Sequence, residues 1–183
     1  MGGQRRMTLP LHLRLHEAFD ELRGRTYGDS TFPRAVGWLP GKLIDPKGKG
    51  IKCSPLTCFV LMASYPDALW CKQDYKDLVI VQTLALFPRG DSPMWAVQRH
   101  GIGSKVGDFT AGCWHLVQTW NDVSAHGHVI ASAGGHATLA YFDGSLVHVI
   151  ESTSRGRRGP QFTACDPSRY YNKAVLHIAR LNP

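Results

Sequence analysis

No apolar run in these 183 residues approaches the ~20 that a membrane helix requires, so a membrane span is not expected. The opening Met1-Gly-Gly-Gln-Arg-Arg is not followed by an apolar segment long enough for a secretory signal, which predicts synthesis in a cytoplasm. Internal repeats, low-complexity tracts and a second compositional block are also missing. With 43% hydrophobic and 19% charged residues, neither disorder nor a linker-joined array is expected, and the length suits one domain spanning 1–183. The five cysteines (Cys53, Cys58, Cys71, Cys113, Cys165) are odd in number and lack a compact spacing framework, which argues for buried or reactive thiols over a disulfide scaffold.

The net charge of +7 favours polyanionic partners: nucleic acid, anionic lipid or bacterial cell wall. The basic residues are nevertheless spread out, apart from Lys47-Gly-Lys49-Gly-Ile-Lys52 and Arg155-Gly-Arg157-Arg158, as on an ordinary solvated surface. No recognition motif for nucleic acid is present, and no strand interleaves basic and aromatic residues as a stacking platform. A basic nucleic-acid-binding module is therefore the non-enzyme alternative, and nucleic acid is not an expected partner.

Leu11, Leu15, Ala18, Phe19 and Leu22 share one face at helical spacing, so residues 9–23 are predicted to form an amphipathic helix. Gly24 to Gly50 reads as an irregular approach containing Tyr27-Gly28 and Trp38. Ser54 and Pro55 suit an N-cap and a first helical residue, and the apolar run Leu56 to Tyr65 continues as a buried helix up to Pro66. The stretch 67–87 fits helix or strand, and Pro88 to Gly107 reads as loop. From Trp114 onward the pattern is that of strands: 114–120, 128–132, 136–142, 145–152 and 173–181. Helices first and an antiparallel sheet second make an α+β arrangement.

Two stretches carry chemistry. Lys52-Cys53-Ser54-Pro55 places a thiol where a helix begins, and a helix N-terminus together with an imidazolium favours the reactive thiolate. Gly134-Gly135-His136 opens a strand that is followed by Asp143-Gly144, a hairpin signal, and then by His148 and Glu151. Cys53 is the candidate nucleophile and His136 the candidate base and acid, with backbone N–H groups at the helix start as oxyanion donors. The orienting group depends on turn register. A two-residue turn sets residue 136 opposite Glu151, whereas a three-residue loop brings His148 onto that face. Rival assignments are Cys58 as nucleophile and His128, in Gly127-His128, as base. Cys113-Trp-His115 with His126-Gly-His128 can also be written as a loose zinc site.

Cys53-Ser54 opening an apolar helix, Gly135-His136 opening a strand, and a polar residue on the next strand resemble the NlpC-type papain-like peptidoglycan hydrolases and their CHAP relatives. The spacing from His136 to His148 is similar to the two-histidine pattern of the first family, and Asp143-Gly144 followed by Glu151 to the third residue of the second. Lys52 and Pro55 stand where the first family has Asp and Gly. The resemblance covers roughly residues 50 to 155. It implies a small papain-like fold with N-terminal helices packed on an antiparallel sheet, and cleavage of amide bonds in peptidoglycan peptides without cofactor or metal. The biological setting it suggests is a phage lysin or an injected antibacterial effector, acting on the wall after export and held in check by an immunity protein. Acyl transfer or deamidation on a protein substrate is the alternative chemistry for the same residues.

Overall fold

The computed structural model describes residues 9–28, 50–68, 70, 92–121, 135–153 and 159–183. Among the described residues three helices precede the sheet: α1 (Leu11–Asp20), α2 (Cys53–Ser64) and α3 (Ser92–Arg99). The described residues then form six strands: β1 (Gly103–Val106), β2 (Cys113–Trp120), β3 (His136–Phe142), β4 (Val147–Ser152), β5 (Pro160–Cys165) and β6 (Val175–Leu181). A one-turn helix, α4 (Ser168–Tyr171), separates the last two. The strands form one antiparallel sheet in the order β1-β6-β2-β3-β4-β5, so the chain is α+β. Among the described residues no helix is long and apolar enough to cross a membrane.

The sheet is covered unequally. On one face Leu11, Leu15 and Phe19 of α1 and Leu56, Phe59, Val60 and Leu61 of α2 pack over Trp114, Leu116, Leu139 and Ile150. Apart from Met62, every residue of α2 is buried, as expected of a helix apolar on all sides. The opposite face carries a smaller cluster of Val117, Ala140, Val149 and Ile178, covered by Tyr170 of α4 and by Phe109. β2 and β3 lie between the two layers, which explains why their interiors are buried on both faces.

Three expectations need correction. The passage 88–107, read as loop, contains α3 and β1. α2 begins at Cys53 with Lys52 as N-cap, two residues before the expected start at Pro55. The β3–β4 connection is neither a two- nor a three-residue turn: Phe142 pairs with Val147, leaving four residues between them. Asp143 shapes that loop, its Oδ1 accepting from the N–H groups of Ser145 and Leu146 (both 2.8 Å) while its own N–H donates to the Leu146 carbonyl. Gly144 takes a φ of 105°, which a side chain would resist. The strand expected at 128–132, most of 67–87, Trp38, and the basic residues 47–49 and 155–158 lie outside the described residues.

Candidate active site

The start of α2 is stitched to both strands of the hairpin that bears the candidate residues. The Thr57 hydroxyl donates to the Ala137 carbonyl of β3 (3.1 Å), and the Ser152 hydroxyl of β4 donates to the Ile51 carbonyl (2.6 Å). Between these ties β3 and β4 part company. Their pairing ends at Leu139↔Ile150, and beyond it β4 continues against β5 alone, through Glu151↔Gln161 and Ser152↔Pro160. The opened end of the hairpin receives the first turn of α2 and therefore Cys53.

There the Cys53 thiol is hydrogen-bonded to His136. The other side of the imidazole is fixed, because His136 Nε2 donates to Glu151 Oε2 at 2.8 Å. Glu151 accepts only, so Nε2 carries a proton and Nδ1 faces the thiol. The His136 side chain is 25% exposed, whereas Cys53 is 3% exposed, so solvent reaches the pair from the histidine side. Burial opposes a charge on His136. Hydrogen bonds with Cys53 and Glu151, and the pull of those two as anions, outweigh it and raise its pKa to about 9. Glu151 is pushed up by burial, but the hydrogen bonds from His136 and Arg169 and their positive charges bring it down to about 2. Cys53, His136 and Glu151 are thus joined in line, with the imidazole favoured in its protonated form between the sulfur and the carboxylate.

Arg169 carries no signal in the sequence. From α4 its Nη2 donates to Glu151 Oε2 (2.7 Å) and its Nη1 to Oε1 (3.2 Å), a two-pronged clamp on a side chain that is 94% buried. The Thr163 hydroxyl of β5 makes a longer 3.5 Å contact with Oε1. The Ser168 N–H donates to Asp166 Oδ1 (2.8 Å) where α4 begins, but no spacing rule links position 169 to 151.

Gly135 explains how His136 is delivered. A Cβ there would lie 2.7 Å from Trp120 Nε1, so the indole of β2 packs directly against the glycine backbone. On the approach to Cys53, Thr26 bridges Gly50 in parallel, and the Ile51 N–H donates to the Thr26 carbonyl (2.9 Å). A Cβ on Gly50 would meet the Gly28 backbone at 2.7 Å, and one on Gly159 would meet the Arg25 carbonyl oxygen at 1.7 Å. Residues 25–28, including Tyr27, therefore run as a strap pressed between the residues leading into α2 and those leading into β5.

His148 is not brought to the site. The observed register pairs it with Tyr141, on the opposite face of the sheet from His136, and five residues along β3, about 17 Å away. It bonds Asp143 Oδ2 (2.7 Å) and stacks on Phe162. A four-residue loop moves the register by two positions relative to the two-residue turn, which preserves the face, so Glu151 and not His148 joins His136. Cys58 lies in the core one turn into α2, its thiol 3.4 Å from Met62 Sδ. The zinc reading fails at His115. Its Nε2 accepts from the Thr110 N–H (3.0 Å) and its Nδ1 faces the Ala140 carbonyl, so neither ring nitrogen offers a lone pair to a metal. Burial keeps this imidazole neutral, with a pKa of about 4. His126 and His128 lie outside the described residues.

Compared with models of protein families, with curated proteins and with solved structures, the chain matches none.

Proposed function

We propose that this protein is a papain-like cysteine hydrolase that cleaves amide bonds of peptidoglycan peptides. The observation that carries the reading is the line of Cys53, His136 and Glu151, with the thiol on the first residue of α2 and the imidazole bonded to the thiol on one side and to a carboxylate on the other. A nucleophile, a base in reach of it and a group that orients the base are what thiol-mediated acyl transfer needs.

The chemistry runs in two halves. The Cys53 sulfur attacks the amide carbonyl with its proton held on His136, and a C–S bond forms. His136 then gives that proton to the leaving nitrogen as the C–N bond breaks. In the second half His136 takes a proton from water, the new C–O bond replaces the C–S bond, and the sulfur leaves as thiolate with that proton held on His136 as at the start. In this reading the N–H groups that open α2, which have no partner within the helix, donate to the carbonyl oxygen as it becomes negative.

Peptidoglycan peptide as substrate rests on the likeness of Cys53-Ser54 and Gly135-His136 to the NlpC and CHAP motifs. The basic balance of the chain suits attraction to an anionic wall. In this reading the protein acts on the wall after delivery out of the producing cell, and a dedicated immunity protein would block the site. Digestion of purified peptidoglycan by the wild type and by Cys53→Ala, with products identified by mass, tests it. New peptides from the wild type alone are expected. Equal release by both sinks the thiol mechanism, and release by neither moves the substrate to proteins, where the same residues would perform deamidation or acyl transfer.

A further inference from the structure

We propose that Arg169 is a positioning residue that keeps Glu151 a carboxylate, with Oε2 aimed at His136, through both halves of the reaction, so that the thiol proton passes to the leaving nitrogen and is never captured by Glu151. The proposal rests on the hydrolase reading above.

The geometry poses a problem that Arg169 solves. Before attack, Cys53 thiolate, His136 imidazolium, Glu151 carboxylate and Arg169 guanidinium alternate in sign and sum to zero. Once the sulfur is acylated and His136 has given up its proton, the first two charges vanish together. Glu151, only 4% exposed, would then be a buried anion beside a neutral imidazole, and a carboxyl in that position takes up a proton. The guanidinium is bonded to both of its oxygens at 2.7 and 3.2 Å, so the remaining pair still sums to zero. Arg169 holds its own proton under all conditions of the reaction, so it can balance Glu151 without exchanging with it. The fork also locks the carboxylate in the plane that presents Oε2 to Nε2 of His136.

Other groups around Glu151 do not substitute. Cys53 from α2 and His136 from β3 are the pair whose charge disappears. Thr163 of β5 is neutral, and so is the Cys165 thiol, whose pKa burial raises. The buried Tyr170 of α4 is likewise held neutral by desolvation, while Asp166 lies in solvent, occupied with capping Ser168.

The chain contains only three glutamates, Glu17, Glu21 and Glu151, so carboxyl carbon resonances of glutamate-labelled full-length protein can be assigned with Glu151→Gln. In the wild type the Glu151 resonance is expected to remain that of a carboxylate to about pH 2. In Arg169→Gln its midpoint rises by more than one pH unit, and on peptidoglycan kcat falls by about 10- to 100-fold with little change in KM, the scale for losing a group that orients a functional side chain. Arg169→Lys restores the charge without the fork. It is expected to return the Glu151 midpoint close to the wild-type value while recovering only part of kcat, a pattern that a purely structural role for α4 would not produce. An unchanged Glu151 midpoint in folded Arg169→Gln overturns the proposal. Should that variant not fold, a wild-type Glu151 titrating near the ordinary carboxylate range overturns it equally. The carboxyl titration needs no substrate, so a wild type inactive on peptidoglycan would count against the hydrolase reading, whereas an active wild type matched by Arg169→Gln would count against Arg169.

Discussion

Replacing Glu151 by Gln keeps the shape of the side chain and removes its charge from between His136 and Arg169. His136 stands at about 9 in the folded protein against an ordinary 6.5, a displacement worth about 3 kcal/mol in favour of the protonated folded state. Part of this comes from Cys53, so about 3 kcal/mol bounds what the variant can lose through the histidine. The stability from a raised histidine is complete below pH 6.5 and disappears as pH rises through about 9. Glu151, held at about 2 against 4.5, contributes stability that is complete above pH 4.5 and disappears as pH falls through about 2. These are two views of one ion pair and do not add. The difference in unfolding free energy between wild type and Glu151→Gln should therefore be largest between pH 4.5 and 6.5. It should narrow as pH approaches 9, leaving what the contact with Arg169 supplies, and narrow again toward pH 2. Urea unfolding across that range, with the His136 ring resonances followed in parallel, measures it. A stability difference that stays constant from pH 6 to 10, or a His136 midpoint identical in the two proteins, would refute the reasoning.

Alkylation of Cys53 by iodoacetamide, followed by peptide mass, should proceed well at pH 6 in the wild type and slow by at least tenfold in His136→Ala, because an isolated thiol is overwhelmingly protonated there; equal rates would remove the imidazole from the site. Thr57→Val and Ser152→Ala each strand a buried carbonyl, at a cost of about 1–3 kcal/mol, and should lower activity by loosening α2 from β3 and β4; thermal unfolding and peptidoglycan digestion measure both effects. Gly135→Ala forces a methyl to 2.7 Å from the Trp120 indole and is expected to cost about 1–3 kcal/mol, visible as a shift in Trp fluorescence and a lower melting temperature. His148→Ala should leave the hydrolysis rate unchanged, since this ring engages Asp143 far from the thiol; a large loss would return His148 to the mechanism.

β3 is legible from the sequence to the residue, because Gly134-Gly135 releases its start and Asp143-Gly144 closes its end. The pairing of Cys53 with His136 follows from local signals at two separated places, a thiol at a helix start and a histidine at a strand start. The choice between His148 and Glu151 does not, since it depends on how many residues the turn takes up. The Asp143 carboxylate sets that number by gathering two backbone N–H groups. The helix start was displaced for a related reason: Ser54 and Pro55 have the local preferences of a cap and first turn, yet the bond from Ser152 to Ile51 fixes the backbone earlier in the chain. β1 is only four residues long and is defined by its partner β6 rather than by its own pattern. β5 opens with a proline, which reads as a break but is compatible with the outer position it occupies in the sheet. Arg169 was beyond reach because its meaning lies wholly in a contact with a strand eighteen residues earlier.

The two hydroxyl ties at the mouth of the hairpin span 80 and 101 positions of sequence. The thiol is therefore translated long before the histidine, carboxylate and guanidinium that equip it, and a nascent chain carries an ordinary cysteine at position 53 until the last quarter of the molecule has been made. On the proposed function, reactivity at that sulfur is a property of the finished protein, acquired late and all at once. A rise in alkylation rate during refolding would mark the moment when distant parts of the chain first meet.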